Sequence, residues 1–312
     1  MKFSKTMMNQ TIIKIAYFLA ATDVIIGNLN VFKIVKNNGY VACILLVIVI
    51  LLKFNKKEIK KFIIDCLLVM LTIISYIFSK NSMILTWLLF NLACNEESNA
   101  KETLKYTFTI KTIILMFAIF LYFIGVTNDQ VFFREGKYRR TLGFTSPNTL
   151  GIIGFSIIAD YVYLRKDRIN WKDYTIIISI GILIMELTNS RSIFISNILL
   201  IMMIIVFKLT KNKNIKINMD WIMPMLTIFS FIFMLLYNQN NTLAIKFNDL
   251  TSNRLYIANE YYQQYPIKIW GNKLKFYEYW IGYDQTIDNV YLNLLIVHGI
   301  IMTVLVNAFR SD

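Results

Sequence analysis

Apolar runs long enough to enter a bilayer recur along this chain, and no other feature restricts its fold so strongly. A membrane helix needs roughly 20 mostly apolar residues. In lipid, only helices and closed barrels satisfy every backbone polar group. The candidate spans are 11–27, 39–54, 62–78, 83–94, 106–125, 149–164, 174–187, 193–209, 221–237 and 290–309. Lys14 and Asp23 weaken the first span, and the fourth is short. Apolar residues make up 56% of the 312, above the roughly 45–50% of soluble chains, and the mean hydropathy is +0.52. The expected fold is all-α: a polytopic, single integral membrane domain over residues 1–312 with about ten transmembrane helices.

The net charge of +14 invites a nucleic-acid reading. The cations do not form one stripe, however, and no nucleic-acid partner is expected. They sit in blocks between apolar runs: Lys53, Lys56, Lys57, Lys60 and Lys61; then Arg165, Lys166, Arg168 and Lys172; then Lys208, Lys211, Lys213 and Lys216. With the N terminus inside, every block falls on the cytoplasmic side. That topology puts 127–147, the polar break at 188–192 and the segment 238–288 together on the outer face. The expected location is the cell membrane, multi-pass, with an extracytoplasmic active face. Residues 1–10 lead into a segment with no small-residue cleavage site, so no cleavable signal is expected. Cys43, Cys66 and Cys94 lie in or at the ends of spans without a CxxC partner, which indicates neither a disulfide framework nor zinc.

The long polar segment between the last two spans carries Arg254 and is crowded with aromatics, among them Tyr256, Tyr261, Tyr262, Tyr265, Trp270, Tyr277 and Trp280. Loops this long usually carry function or are disordered, and disordered segments are poor in aromatics. Residues 238–288 are therefore expected to form a large folded extracytoplasmic loop, a cap over a site.

The outer segments break the positive-inside pattern at chosen places. Arg134, Lys137, Arg139 and Arg140 precede Gly143–Asn148, Arg191 stands at the mouth of a span, and Arg254 lies in the large loop. Arginine is suited to planar recognition of phosphate oxygens, so three outer arginines fit an anionic headgroup such as a diphosphate. The bland alternative is pairing with Asp249 or Glu260, or with lipid phosphates. Asp288 stands at the start of the last span. An N-cap is its leading reading from pattern, with a general base as the other. Asp160 and Glu186 are acids within spans and candidates for ion coupling. His298, the single histidine, reads as a packed residue bonded within the bundle. No P-loop, dinucleotide turn, GxSxG or metal-spaced cluster is present.

Arg139–Asn148 resembles the Arg-x-x-Gly-x-x-x-x-Pro-Asn stretch of the O-antigen polymerase and ligase superfamily. Leu187–Arg191 resembles its Thr-x-Ser-Arg motif. Ser252–Arg254 with Gly271 resembles the Ser-Gly-Arg start of the large outer loop and the glycine near its end. Asp288–Leu295 with Gly299 resembles the closing Asp/His-Asn-x-Tyr-Leu motif. The resemblance spans roughly residues 80–300. Asp rather than His at position 288 points to the capsular or exopolysaccharide repeat-unit polymerases of Gram-positive bacteria and away from the ligase branch. Members of that family usually continue for further spans, so a truncated C terminus is expected here.

The resemblance implies a membrane-embedded glycosyltransferase that polymerises undecaprenyl-diphosphate-linked oligosaccharides at the outer face. Arg140, Arg191 and Arg254 would neutralise the leaving diphosphate, and Asp288 would accept the acceptor's proton. Arg139, Asn148, Asn289 and Tyr291 would bind substrate. No cofactor and no metal is implied. Partners would be the lipid-linked oligosaccharide, membrane lipid, and a flippase and chain-length regulator of the same pathway. The rival functions are an O-antigen-ligase-like glycan transferase and a flippase or transporter of the lipid-linked oligosaccharide.

Overall fold

The computed structural model describes residues 5–29, 38–52, 59–94, 97–134, 137–166, 168–188, 191–211, 221–251, 253–274, 278–279, 283–284 and 287–308. Of the basic block after the second apolar segment, Lys53, Lys56 and Lys57 lie outside the described residues, as do Lys213 and Lys216. In chain order the elements are α1 (Lys5–Ile26), α2 (Asn38–Leu52), α3 (Ile59–Ser79), α4 (Met83–Ala93), α5 (Glu97–Phe123), β1 (Val131–Arg134), β2 (Lys137–Arg140), α6 (Pro147–Arg165), α7 (Trp171–Thr188), α8 (Arg191–Lys211) and α9 (Ile222–Asn238). Then come α10 (Thr242–Leu250), α11 (Arg254–Gln264), β3 (Glu278–Tyr279), β4 (Tyr283–Asp284), α12 (Val290–Asn293), a π-helical turn Leu294–His298 and α13 (Gly299–Ala308).

A helix stands at each apolar segment named above. Met8–Ile26, Phe62–Ser79, Lys101–Phe123 and Val290–Ala308 are long and apolar enough to cross a membrane, and α9 with α10, bent by 116°, makes a fifth candidate. Only 17% to 44% of each of the four is buried within the protein. Their outward positions carry residues such as Ile63, Met70, Met116 and Phe120, all more than half exposed. Water would penalise such surfaces, whereas lipid does not. The chain is a helical, membrane-associated protein with two short hairpins.

Contacts divide the chain into two compact units: 1–53 with 90–216, and 54–89 with 217–312. In the first, Ala21, Ile25 and Leu29 pack against Ile114, Ala118, Leu121, Phe144 and Leu150, while Ile158, Ile177, Ile184, Ile193 and Ile204 join α6, α7 and α8. Two charged pairs join its apolar helices. Lys14 meets Glu102 at 2.5 Å, and Lys111 meets Asp160 at 2.6 Å, with Thr107 donating to the same carboxylate. Asp160 is thus paired across two helices. The polar stretch from Glu97 is helical and continues into the apolar part of α5. The expected loop at 127–147 holds an antiparallel hairpin with Val131 opposite Arg140.

In the second unit, Met234, Leu255, Ala258, Tyr261, Leu292, Ile296 and Val297 form the core, and Ile84 packs with Leu294 and Met302. The expected uniform last span is interrupted. Gly299 sits at φ +85°, ψ 177°, a region essentially restricted to glycine. The carbonyls released by this break find other donors. Asn272 donates from Nδ2 to Ile296 O (2.9 Å) and from its backbone N–H to Val297 O (2.9 Å). Ser75 Oγ donates to His298 O at 3.2 Å. In return, the N–H groups of Ile300 and Ile301 donate to the carbonyls of Lys268 and Ile269. An unpaired buried carbonyl is costly, so the segment 268–272 acts as the missing turn.

Candidate functional site

The site in the second unit is built from the starts of two helices. At the α10–α11 corner, Asn253 occupies the N-cap position at φ +62° and makes no side-chain cap bond. Asn248, buried at 4% exposure, caps from outside the helix. Its Oδ1 accepts from Tyr256 N–H (2.9 Å), its Nδ2 donates to Asn253 Oδ1 (2.9 Å), and its backbone carbonyl accepts from Asn253 N–H (2.9 Å). This fixes Arg254 as the first residue of α11, where a cation faces the positive end of the helix dipole. That placement is unfavourable for the helix and leaves a concentrated positive field.

Asp288 lies across from it, with Arg254 Nε 4.0 Å from Asp288 Oδ2 and side-chain exposures of 33% and 41%. A pair this long and this wet contributes at most about 1 kcal/mol. The cap reading of Asp288 is corrected here. Asn289 is the N-cap of α12, its Oδ1 accepting from Tyr291 and Leu292 N–H at 3.1 and 3.3 Å. Both residues are good caps; extended backbone at Asn289, φ −76° and ψ 106°, decides between them. Asn289, expected to bind substrate, uses its carbonyl oxygen on the helix, and Tyr291 is half-buried on the first turn.

Behind these helix starts, Gly271 and Gly299 touch backbone to backbone. A Cβ on Gly299 would lie 2.4 Å from Gly271 N, and one on Gly271 would lie 2.0 Å from Val297 O. His298 is buried at 1% exposure, and its Nε2 has no hydrogen-bond partner among the described residues. The expected bond within the bundle is absent at that nitrogen.

The first unit gathers the other expected residues. Arg139 and Arg140 are neighbours on β2, so their side chains leave opposite faces. Arg139 Nε donates to Thr188 O (3.0 Å) and Nη2 to Asn148 Oδ1 (2.7 Å), which ties the hairpin to the start of α6 and the end of α7. Arg140 is 63% exposed and 3.9 Å from Asp129. Asp129 Oδ1 already accepts from Thr141 N–H, Thr141 Oγ1 and Leu142 N–H, closing the turn after the hairpin. Asn148 begins α6, with Ser146 accepting its N–H as cap and Pro147 at the first turn. Arg191 begins α8; its side chain, Asn189 and Ser190 lie outside the described residues, as do Ser252 and the aromatics Phe276, Tyr277 and Trp280. Arg139, Arg140, Asn148 and Arg191 belong to the first unit, and Arg254, Asp288, Asn289 and Tyr291 to the second.

Sequence reasoning missed Asn248, Asn272, Ser75 and Asp129, which act by holding backbone. Asn248 sits six residues before Arg254, and Asn272 follows a glycine; adjacency to a motif was the available signal. Comparison with protein-family profiles, with curated proteins and with solved structures finds no match for this chain.

Proposed function

We propose that this chain is a membrane glycosyltransferase that polymerises undecaprenyl-diphosphate-linked oligosaccharide repeat units into capsular or exopolysaccharide. In this reading it has about ten spans, and residues 238–288 form an extracytoplasmic loop. The observation that carries the reading is the loose Arg254–Asp288 pair at 4.0 Å, with the helix cap supplied separately by Asn289. A carboxylate beside a guanidinium in a positive helix field joins a proton acceptor to an anion binder.

The step follows from those roles. A hydroxyl of the acceptor repeat unit attacks the anomeric carbon of the donor glycan. The bond from that carbon to the diphosphate oxygen breaks, and undecaprenyl diphosphate leaves with the electron pair. Asp288 takes the hydroxyl proton, and Arg254 offsets the charge gathering on the leaving oxygens, where preorganised electrostatics act most strongly. Asn289 and Tyr291, next to Asp288 at the start of α12, are its substrate-binding neighbours in this proposal; the roles of Arg140 and Arg191 as diphosphate ligands, and of Arg139 and Asn148 as substrate ligands, rest on the motif resemblance alone. Energy comes from the sugar–diphosphate bond.

Asp288→Asn tests the assignment in cells that depend on this gene for polymer. With the cap on Asn289, the variant should accumulate to wild-type level. Loss of a general base typically costs about 10²–10⁴-fold in rate, so polymer should vanish while single lipid-linked units build up. Normal polymer would remove Asp288 from the chemistry. Units that fail to reach the outer face in a deletion strain would favour a flippase instead.

A further inference from the structure

Where α6 gives way to α7 in the first unit, a cavity of about 560 Å³ is lined by Lys101, Leu164, Arg165 and Arg168. Three of its four lining residues are cations, contributed by α5, the last turn of α6 and the turn that follows. Arg165 is held in place: Nε lies 3.3 Å from Asp173 Oδ1, Nη1 donates to Tyr161 Oη at 3.4 Å, and the guanidinium carbon sits 5.7 Å from the Tyr161 ring centre. Asp173 is itself 1% exposed and engaged by Tyr161 and by Asn170 N–H. It offsets one positive charge of the lining and is shielded from the cavity's solvent. The neighbouring acid Glu102 is committed to Lys14. Lys101 and Arg168 therefore contribute two cations without an ion pair among the described residues; Asp167, beside Arg168 in sequence, lies outside them.

The surroundings set its depth. Trp171 is 86% exposed and Tyr163 is 52% exposed, Lys166 Nζ lies 4.4 Å from the Tyr163 ring centre, and the apolar run of α6 ends here. Exposed Trp and Tyr beside Lys and Arg at the end of an apolar helix are the composition of the headgroup layer. We infer that this cavity is a binding site for a phosphate-bearing anion, with Arg165 as the oriented fork and Lys101 and Arg168 as the mobile cations. An acidic phospholipid headgroup and a soluble phosphoanion share that chemistry. The site makes no use of Arg254 or Asp288.

The test uses the purified full chain in neutral detergent, with its thermal unfolding followed by intrinsic fluorescence. Short-chain phosphatidylglycerol, short-chain phosphatidylcholine and inorganic pyrophosphate are titrated separately. Phosphatidylglycerol should raise the midpoint saturably and phosphatidylcholine should not. A pyrophosphate response that is also lost on removing Lys101 and Arg168 assigns the site to soluble phosphoanions, and a response to phosphatidylglycerol alone assigns it to lipid. Both exposed cations are removed in Lys101→Gln/Arg168→Gln, which keeps the Arg165–Asp173 contact and so the local fold. Its half-saturation should rise about thirtyfold, at the usual strength of a surface Lys or Arg toward anionic lipid. Arg254→Gln should respond to phosphatidylglycerol like wild type. Equal responses of wild type and the double variant, or loss of the response in Arg254→Gln, would overturn the inference.

Discussion

Replacing Gly299 by alanine should destabilise the second unit severely, and the cost follows from three contacts. The new Cβ would lie 2.4 Å from Gly271 N, 2.5 Å from Ile269 O and 2.7 Å from Lys268 O. All three are backbone atoms, so no side-chain rotation relieves them. The residue must also hold φ +85° and ψ 177°, which costs about 1–3 kcal/mol away from glycine. Ordinary contact requires the segment 268–271 to retreat by about 1 Å. That movement breaks the bonds from Ile300 and Ile301 to Lys268 O and Ile269 O, each worth about 0.5–1.5 kcal/mol. The sum is about 2–6 kcal/mol, comparable to the whole net stability of a domain. Gly125→Ala is the internal control, because it too has positive φ, +75°, but meets nothing within 4 Å; it should cost only about 1–2 kcal/mol. Denaturant unfolding of both variants in one detergent measures the difference. Equal midpoints would refute the claim that the glycine is required by backbone contact.

Arg254→Lys should lower polymer sharply at unchanged protein level, because an ammonium is a point charge and not a fork; normal glycan length on a gel would remove the diphosphate role. Asp173, at the polar start of α7, has its carboxyl held below the usual range, chiefly by the Tyr161 hydroxyl and then by Asn170 N–H, with Arg165 and Lys208 nearby. A lowered folded value means that its stabilisation is present above the ordinary carboxylate pKa and is lost as pH falls through the folded one. Unfolding midpoints of Asp173→Asn should accordingly show a flatter acid limb than wild type between about pH 4 and 2. A cysteine at position 260 should react with an impermeant maleimide in intact cells; labelling only after permeabilisation would invert the proposed topology.

The apolar helices were readable because lipid-facing and core positions alike demand apolar residues, so each run from 11–27 to 290–309 is visible as composition. Interruptions were not. Gly299 lies within a largely apolar run, and Asn272, Ser75 and the carbonyls of Lys268 and Ile269, distant in sequence, make the break tolerable. The bend after α9 rests on Asn240 at φ +58° and the Asn241 cap, within a polar stretch that reads equally as loop. Of the expected site, the Arg254–Asp288 neighbourhood was legible from motif order. Which of two adjacent caps holds α12 was not, since Asp and Asn serve that role about equally. The division of labour between Arg139 and Arg140 depends on strand alternation, which requires knowing that 131–140 is a hairpin.

The ion pair between Lys14 and Glu102 carries a consequence for biogenesis. Its partners are separated by 88 residues, so α1 leaves the ribosome long before α5 exists. At synthesis rates of about 5–20 residues per second, the lysine waits roughly 4–18 s for its counter-ion. Lys14 stands near the start of its apolar run and Glu102 at the start of Lys101–Phe123, both partly exposed, so the lysine can reach water or lipid phosphates meanwhile. Synthesis of α5 then supplies the carboxylate that replaces those contacts.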